Sequence, residues 1–341
     1  MLCACCKPEN AMGLMLNGVY LKQDPEPDTN EDGEFRRTAS SIRHWITADG
    51  SPGPTGEGGF AAQDGRYHLF LAWNCPWAHR ALLARELKDL ESSISVSFVA
   101  PRRNEDGWVF AAKDGYRDSL FGSLFLHEIY ARVRPQYTGR VTVPVLWDIE
   151  RGCAVSNESA DIVRMFDLSF DRGRKLYPQD LATQINVWND RIYATVNNGV
   201  YQAGFARTQE AYDRAVNAVF EKLDAIERQL QKTRYLTGDR FTECDLRLFP
   251  TLARFDVAYH YAFKCNIHRI MDYPNLWAYA REIYQMPGVA DTVSFDIYKQ
   301  GYFSPSPLRN PLGIVPAGPD INWMEPHGRG RWASLLGGGE T

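Results

Sequence analysis

The chain reads as an α/β domain followed by an all-helical one, and three observations predict this. Apolar runs of strand character at Tyr67 to Trp73 and at Ile94 to Val99 (ISVSFV) flank a helix-like segment of about a dozen residues, the pattern of a βαβ unit. From Gln179 to Met286 the period becomes helical over most of the length, as in AYDRAVNAVFEKLDAIERQL from Ala211 to Leu230, with apolar residues near i, i+3, i+4 and i+7. With 341 residues and 44% hydrophobic content, the chain exceeds the usual single-domain size and can fill two cores.

Composition narrows the function classes. A net charge of -4 argues against a nucleic-acid footprint. No run of about 18 apolar residues is present, so no membrane span is expected. The N-terminus lacks the charged and apolar regions of a signal peptide. The seven cysteines are scattered, apart from Cys3, Cys5 and Cys6, which suggests reduced thiols and a cytoplasmic setting. That cluster offers too few ligands for a metal site; a flexible tail, or a translation start at Met12, is the expected explanation.

In chain order, 1–60 reads as an N-terminal arm. It is polar and rich in turns, with breakers at Asp24-Pro25-Glu26-Pro27 and Ser51-Pro52-Gly53-Pro54, and Phe35 and Trp45 are expected to pack it down. The α/β domain then covers 61–170. At its start YHLFLAWNCPWAHRALLARE places Cys75 between a strand and a helix, at the electropositive helix end where free N–H groups favour a thiolate. Pro76 suits the first helical turn. Cys75 is therefore a candidate reactive thiol, the alternative being a buried, inert cysteine. The second position of a Cys-x-x-Cys pair is occupied by Ala78, so a redox cycle must borrow its second thiol.

Beyond the second strand, 101–136 is long for a connection inside a compact domain, and Trp108, Tyr116, Phe121, Phe125 and Tyr130 make it too aromatic for disorder. The strand at Val141 to Asp148 is interrupted by Pro144, which implies an edge, a bulge or a cis peptide bond. Ser156-Asn157-Glu158-Ser159 opens another helix with Ser156 or Asn157 as its cap, and N–H groups beside Ser159 would hold a small carboxylate unless they are merely capped. The helical domain, 179–300, carries a Thr242-x-x-Asp245 capping box. The tail, 301–341, is rich in Pro and Gly and is expected to lie across the surface.

These pieces in this order resemble a cytosolic glutathione transferase, with a thioredoxin-like N-terminal domain followed by an all-helical C-terminal domain. CPWAHR at Cys75 to Arg80, GW at Gly107-Trp108, YTGRVTVPVLWD at Tyr137 to Asp148, SNES at Ser156 to Ser159, NNGVYQAGFA at Asn197 to Ala206 and NPLGIVPAGP at Asn310 to Pro319 resemble the glutathionyl-hydroquinone reductases, the xi class of the omega-like cysteine transferases. The likeness runs from about Met12 to Trp323. It implies glutathione as co-substrate, no metal, no nucleic-acid or membrane partner, and a homodimer. Cys75 would be the nucleophile. Trp108, Arg140, Val143 and Pro144 would contact glutathione, Glu158 would take its γ-glutamyl ammonium, and Ser159 the neighbouring carboxylate. Tyr201 would protonate the leaving aromatic carbon, and Tyr259 and Tyr302 would hydrogen-bond the sulfur or the substrate.

The activity implied is removal of glutathione from glutathionyl-hydroquinones through a Cys75–glutathione mixed disulfide. An omega-like thioltransferase or dehydroascorbate reductase would use the same cysteine with a different pocket. A conjugating transferase would need a hydroxyl in place of Cys75, and a non-catalytic ligand-binding protein on the same scaffold is the reading from another class. Trp73 and Asn74 stand where the family commonly has small residues. His79 and His260 are expected to be structural.

Overall fold

In a computed structural model of the protein, residues 13–22, 29–306 and 309–330 are described. The Cys3, Cys5 and Cys6 cluster, Met12, the Asp24 to Pro27 turn and the last eleven residues lie outside them. The expected order of an α/β half and a helical half is what the chain adopts. The arm is more structured than its composition suggests. Strands β1 (Leu14–Leu16) and β2 (Val19–Leu21) form a hairpin. Its turn is Asn17-Gly18, both at positive φ (49° and 80°), as a two-residue hairpin loop requires.

The main sheet is built from β3 (Tyr67–Ala72), β4 (Ile94–Val99), β6 (Val145–Asp148) and β7 (Cys153–Ser156), in the order β4-β3-β6-β7. Its first pair is parallel and the other two antiparallel. Strand β3 is buried along its whole length, which its continuous apolar run requires. A short β5 (Gly139–Arg140) pairs with β1 instead, so the hairpin is stitched to the segment leading into the active site. The edge of β7 is covered by the arm, where Arg43 bridges Ser156. Phe35 and Trp45 are buried, as expected.

Helices α1 (Pro76–Leu87) and α3 (Ser159–Ser169) pack together on the sheet. The long 101–136 stretch is only partly loop, because it ends in helix α2 (Leu126–Val133). Its irregular part is pinned by buried Asp118, whose carboxylate accepts from the N–H groups of Leu120, Phe121 and Ser123 at 2.8 to 3.1 Å. Pro144 does not break the ladder. It sits one residue before β6 in a cis peptide with Val143, one of the three alternatives its position implied.

The helical half comprises α4 (Ala182–Ile192), α5 (Gly199–Phe205), α6 (Gln209–Leu230), α7 (Glu243–Arg254), α8 (His260–Ala262), α9 (Pro274–Tyr284) and α10 (Phe295–Tyr302). Two π-helical turns, Tyr193–Asn197 and Phe255–Tyr259, interrupt it, and Asn197 of the first accepts from Arg80 of α1 at 2.6 Å. The capping box of α7 forms as expected between Thr242 and Asp245. The tail does more than lie on the surface, because Trp323 is buried against Trp277 and Arg329 pairs with buried Glu282 at 2.8 Å.

The halves are locked by Glu243, fully buried at the start of α7. It accepts from Arg164 of α3 at 3.0 Å and from Asn189 of α4 at 3.0 Å, and pairs with Arg247. Removing one partner of such a network strands the remaining buried charges, at a cost of about 3–5 kcal/mol. Glu243→Ala should therefore lower the urea midpoint strongly, whereas breaking the exposed Arg172–Asp64 pair with Asp64→Ala should leave the midpoint unchanged.

Candidate active site

Strand β3 ends at Ala72, the chain turns through Trp73 and Asn74, and Cys75 becomes the N-cap of α1 with extended φ and ψ of -83° and 119°. Its Sγ accepts from the N–H of Ala78 at 3.5 Å, so the position that cannot supply a second thiol supplies a backbone donor instead. The S–H donates to the carbonyl of Val143 at 3.6 Å, beside the cis proline. Burial pushes the thiol up from its ordinary value. The N–H groups of Ala78 and Trp77 and the charges of Arg254 and Arg103 pull the other way without overcoming it. The helix start acts in the expected direction, but desolvation is the larger effect.

Cys75 lines a cavity of about 460 Å³ between the two halves. Trp108, Arg140, Val143, Pro144, Glu158 and Ser159 form one wall. The Glu158 side chain corrects an expectation, because it is Glu158, not Ser156 or Asn157, that caps α3. One carboxylate oxygen accepts from the N–H of Ala160 at 3.0 Å and the other from the hydroxyl of Ser40 at 2.9 Å. Ser156 and Asn157 are committed elsewhere. The Ser156 hydroxyl accepts from the N–H of Glu158 at 3.1 Å, and the Asn157 amide accepts from the N–H of Ile42 and donates to Tyr130. An acid thereby stands at the electropositive end of α3, next to Ser159, with the polarity an amino-acid head group needs.

The opposite wall is aromatic: Trp77, Tyr193, Tyr201, Phe205, Phe263 and Tyr302. The Tyr302 hydroxyl lies 2.7 Å from that of Tyr201 and 2.9 Å from that of Tyr259. Tyr259 is fully buried behind Tyr302 and reaches the cavity only through it. In this structure the hydroxyls bond one another and not the sulfur. Burial pushes all three phenols up, so they stay protonated at neutral pH. Tyr261 is 72% exposed and plays no part in the cavity.

Several lining residues were not anticipated. Arg37, Thr38, Ala39, Ser40 and Ser41 of the arm close one side. Arg37 donates to the amide oxygen of Asn198 at 2.7 Å, and its guanidinium lies 4.7 Å from the ring centre of Trp77 and 4.8 Å from that of Tyr201. It thus clamps α1 to the start of α5 through cation–π contacts. Trp73 turns away from the cavity and stacks on Phe98 at 4.5 Å, while Asn74 lines it and donates to the Pro101 carbonyl at 3.1 Å. His79 is buried, bonded to Arg254 through Nδ1 and to the Thr292 hydroxyl through Nε2.

A thioredoxin-like domain that presents a cysteine at a helix start, roofed by a helical domain, is the architecture of a cysteine-type glutathione transferase. Family models agree: the glutathione S-transferase N-terminal domain matches residues 74–168 and the C-terminal domain residues 209–282. The chain is 51% identical to glutathionyl-hydroquinone reductase YqjG of Escherichia coli, covering 93% of this chain and 98% of that one. It is 43% identical to glutathionyl-hydroquinone reductase PcpF of Sphingobium chlorophenolicum, covering 90% and 96%. Among solved structures, glutathione-bound YqjG superposes with a TM-score of 0.86 at 48% identity, covering 93% of this chain and 99% of that one. The Xi-class transferase of Natrialba magadii does so with 0.86 at 41% identity, covering 96% and 99%. The chain belongs to the glutathionyl-hydroquinone reductases, the Xi class of glutathione transferases.

Because burial penalises the thiolate in the ligand-free cavity, alkylation of Cys75 by iodoacetamide should accelerate with pH through a midpoint above the ordinary thiol value of about 8.5. Mass spectrometry of the tryptic peptide spanning 67–80, which holds Cys75 as its single cysteine, checks this directly.

Proposed function

We propose that the protein removes glutathione from glutathionyl-hydroquinones by a single-cysteine redox cycle. The observation that carries this reading is the Tyr201–Tyr302–Tyr259 hydroxyl chain, two of whose members, Tyr201 and Tyr302, line the same cavity as Cys75. A thiol–disulfide exchange needs no proton donor to carbon, whereas release of an arene does.

The substrate's glutathionyl part is held by the wall of Trp108, Arg140 and Val143. Glu158 takes its ammonium and the start of α3 its carboxylate, while the ring lies among Trp77, Phe205 and Phe263. The Cys75 sulfur, as thiolate, attacks the thioether sulfur. An S–S bond forms, the aryl C–S bond breaks, and the electron pair stays on the ring carbon, which takes a proton from Tyr201. The proton that left Cys75 replaces, through solvent, the one Tyr201 gave. A second glutathione, as thiolate, then attacks the glutathione sulfur of the mixed disulfide, which restores Cys75 and releases glutathione disulfide. The arene is reduced by two electrons and two glutathione sulfurs are oxidised to one disulfide.

Three phenols with two hydrogen bonds between them leave one O–H free. Tyr259 is enclosed and Tyr201 lines the cavity, so the arrangement with the free hydrogen at Tyr201 aims it at the substrate. Polarisation along the chain makes Tyr201 a better donor than an isolated phenol of the same burial.

Cys75→Ser should abolish release of hydroquinone from glutathionyl-menadiol, since serine cannot form the mixed disulfide. Tyr201→Phe should slow that release by about 10²–10⁴-fold, the usual contribution of a general acid. The same variant should still exchange glutathione with a small mixed disulfide at close to the wild-type rate. Equal losses in both assays would point instead to an omega-like thioltransferase, with Tyr201 serving only to shape the pocket.

A further inference from the structure

Arg254, the last residue of α7, is wholly buried where the two halves meet. Its guanidinium donates from Nε to the carbonyl of Asn74 at 3.1 Å and from Nη2 to that of Trp73 at 2.8 Å. Nη1 donates to the Pro250 carbonyl at 2.8 Å and to Nδ1 of His79 at 2.9 Å. The ring of Tyr298 stacks on the group at 3.7 Å. All of these partners are neutral. The Thr292 hydroxyl gives its hydrogen to the Val289 carbonyl at 2.7 Å, so His79 must donate to it from Nε2 and accept from Arg254 at Nδ1. Burial, and secondarily Arg254 itself, keep that imidazole uncharged.

The ionisable groups facing the guanidinium are therefore His79 from α1, Tyr201 from α5, Tyr259 from the π turn, Tyr298 and Tyr302 from α10, and Cys75. Among the described residues no carboxylate pairs with Arg254, in contrast to Arg66, Arg164 and Arg329, which each have one. A buried cation without an anion is costly. Of the facing groups, the phenols are pushed towards their neutral forms. The one that must ionise for the reaction is the thiol of Cys75, next in sequence after the two carbonyls that Arg254 holds.

We propose that Arg254 is the positioning residue and counter-charge of the reactive cysteine. Its planar fork fixes the Trp73 and Asn74 carbonyls, and so the turn that aims Cys75, while its charge stabilises the thiolate. This rests on the reading of Cys75 as the nucleophile, and extends it to a residue 179 positions away in the other domain.

The test uses the full chain carrying Arg254→Gln or Arg254→Lys and follows alkylation of the 67–80 peptide against pH, together with glutathione-dependent turnover. In the Gln variant the thiol midpoint should rise by about one unit, the effect of losing a nearby opposite charge. Its limiting rate at high pH should stay the same or increase, because a more basic thiolate is the stronger nucleophile. The Lys variant should keep its midpoint near the wild-type value but turn over about tenfold more slowly, since a point charge cannot hold both carbonyls. A purely structural role would slow turnover in both variants and leave the midpoint where it was in both.

A Gln variant with the wild-type midpoint overturns the proposal. If that variant does not fold, the Lys variant decides: a wild-type turnover, or a midpoint raised by a unit, also overturns it. The alkylation arm needs no quinone substrate, so failure of the hydroquinone reading would show as absent wild-type turnover with the thiol titration still informative.

Discussion

The hydroxyl of Tyr302 lies between those of Tyr201 and Tyr259, and the shape of the cavity depends on that two-bond chain. Its members come from three separate elements, α5, the π turn before α8, and the end of α10, so the chain cannot form until the helical half is packed. Bringing α10 this close to the cysteine turn also requires Gly301. A side chain there would place its Cβ 2.3 Å from the Asn74 amide nitrogen. The aromatic contacts around the chain, Tyr259 stacked on Phe263 and Tyr201 edge-on to it, hold the phenols in register.

The same burial pushes the Cys75 thiol and the phenols up alike, with opposite consequences for the two. It keeps the phenols protonated, as the proposed donor to carbon has to be, and it disfavours the thiolate that the proposed cycle starts from. The fold answers the second effect locally. The N–H groups at the start of α1 face the sulfur, and Arg254 brings a positive charge from the helical half. The wall of Trp108, Arg140 and Glu158 belongs to the sheet domain, the tyrosine chain to the helical one, and the arm closes the space between them through Arg37 and Ser40.

What could be read from the sequence was what is local. Cys75-Pro76 after an apolar run, the Thr242–Asp245 box and the proline before β6 each act through neighbours within a few residues, and each took the expected form. The Asn17-Gly18 hairpin was equally local, flanked by LML and VYL, but the polar stretch that follows it masked the signal. The cap of α3 was not legible because four polar residues, Ser156 to Ser159, stand in a row and tertiary contacts choose among them, drawing Asn157 to the arm and leaving Glu158 at the helix. Arg37 and Arg254 had no legible role, since their partners lie 161 and 180 residues away. Among 17 tyrosines, likeness to a family singled out three, and the packing distinguishes the two that line the cavity from the one behind them.

The proposed cycle requires a one-to-one link between loss of the arene and capture of glutathione by Cys75. A single-turnover experiment, with glutathionyl-menadiol mixed with excess enzyme and no free glutathione, measures it most directly by quantifying hydroquinone released and the mass of the 67–80 peptide. One hydroquinone should appear for each Cys75 that gains a glutathionyl group, and added glutathione should then clear the adduct as glutathione disulfide. Hydroquinone released without the adduct, or the adduct formed without hydroquinone, would contradict it.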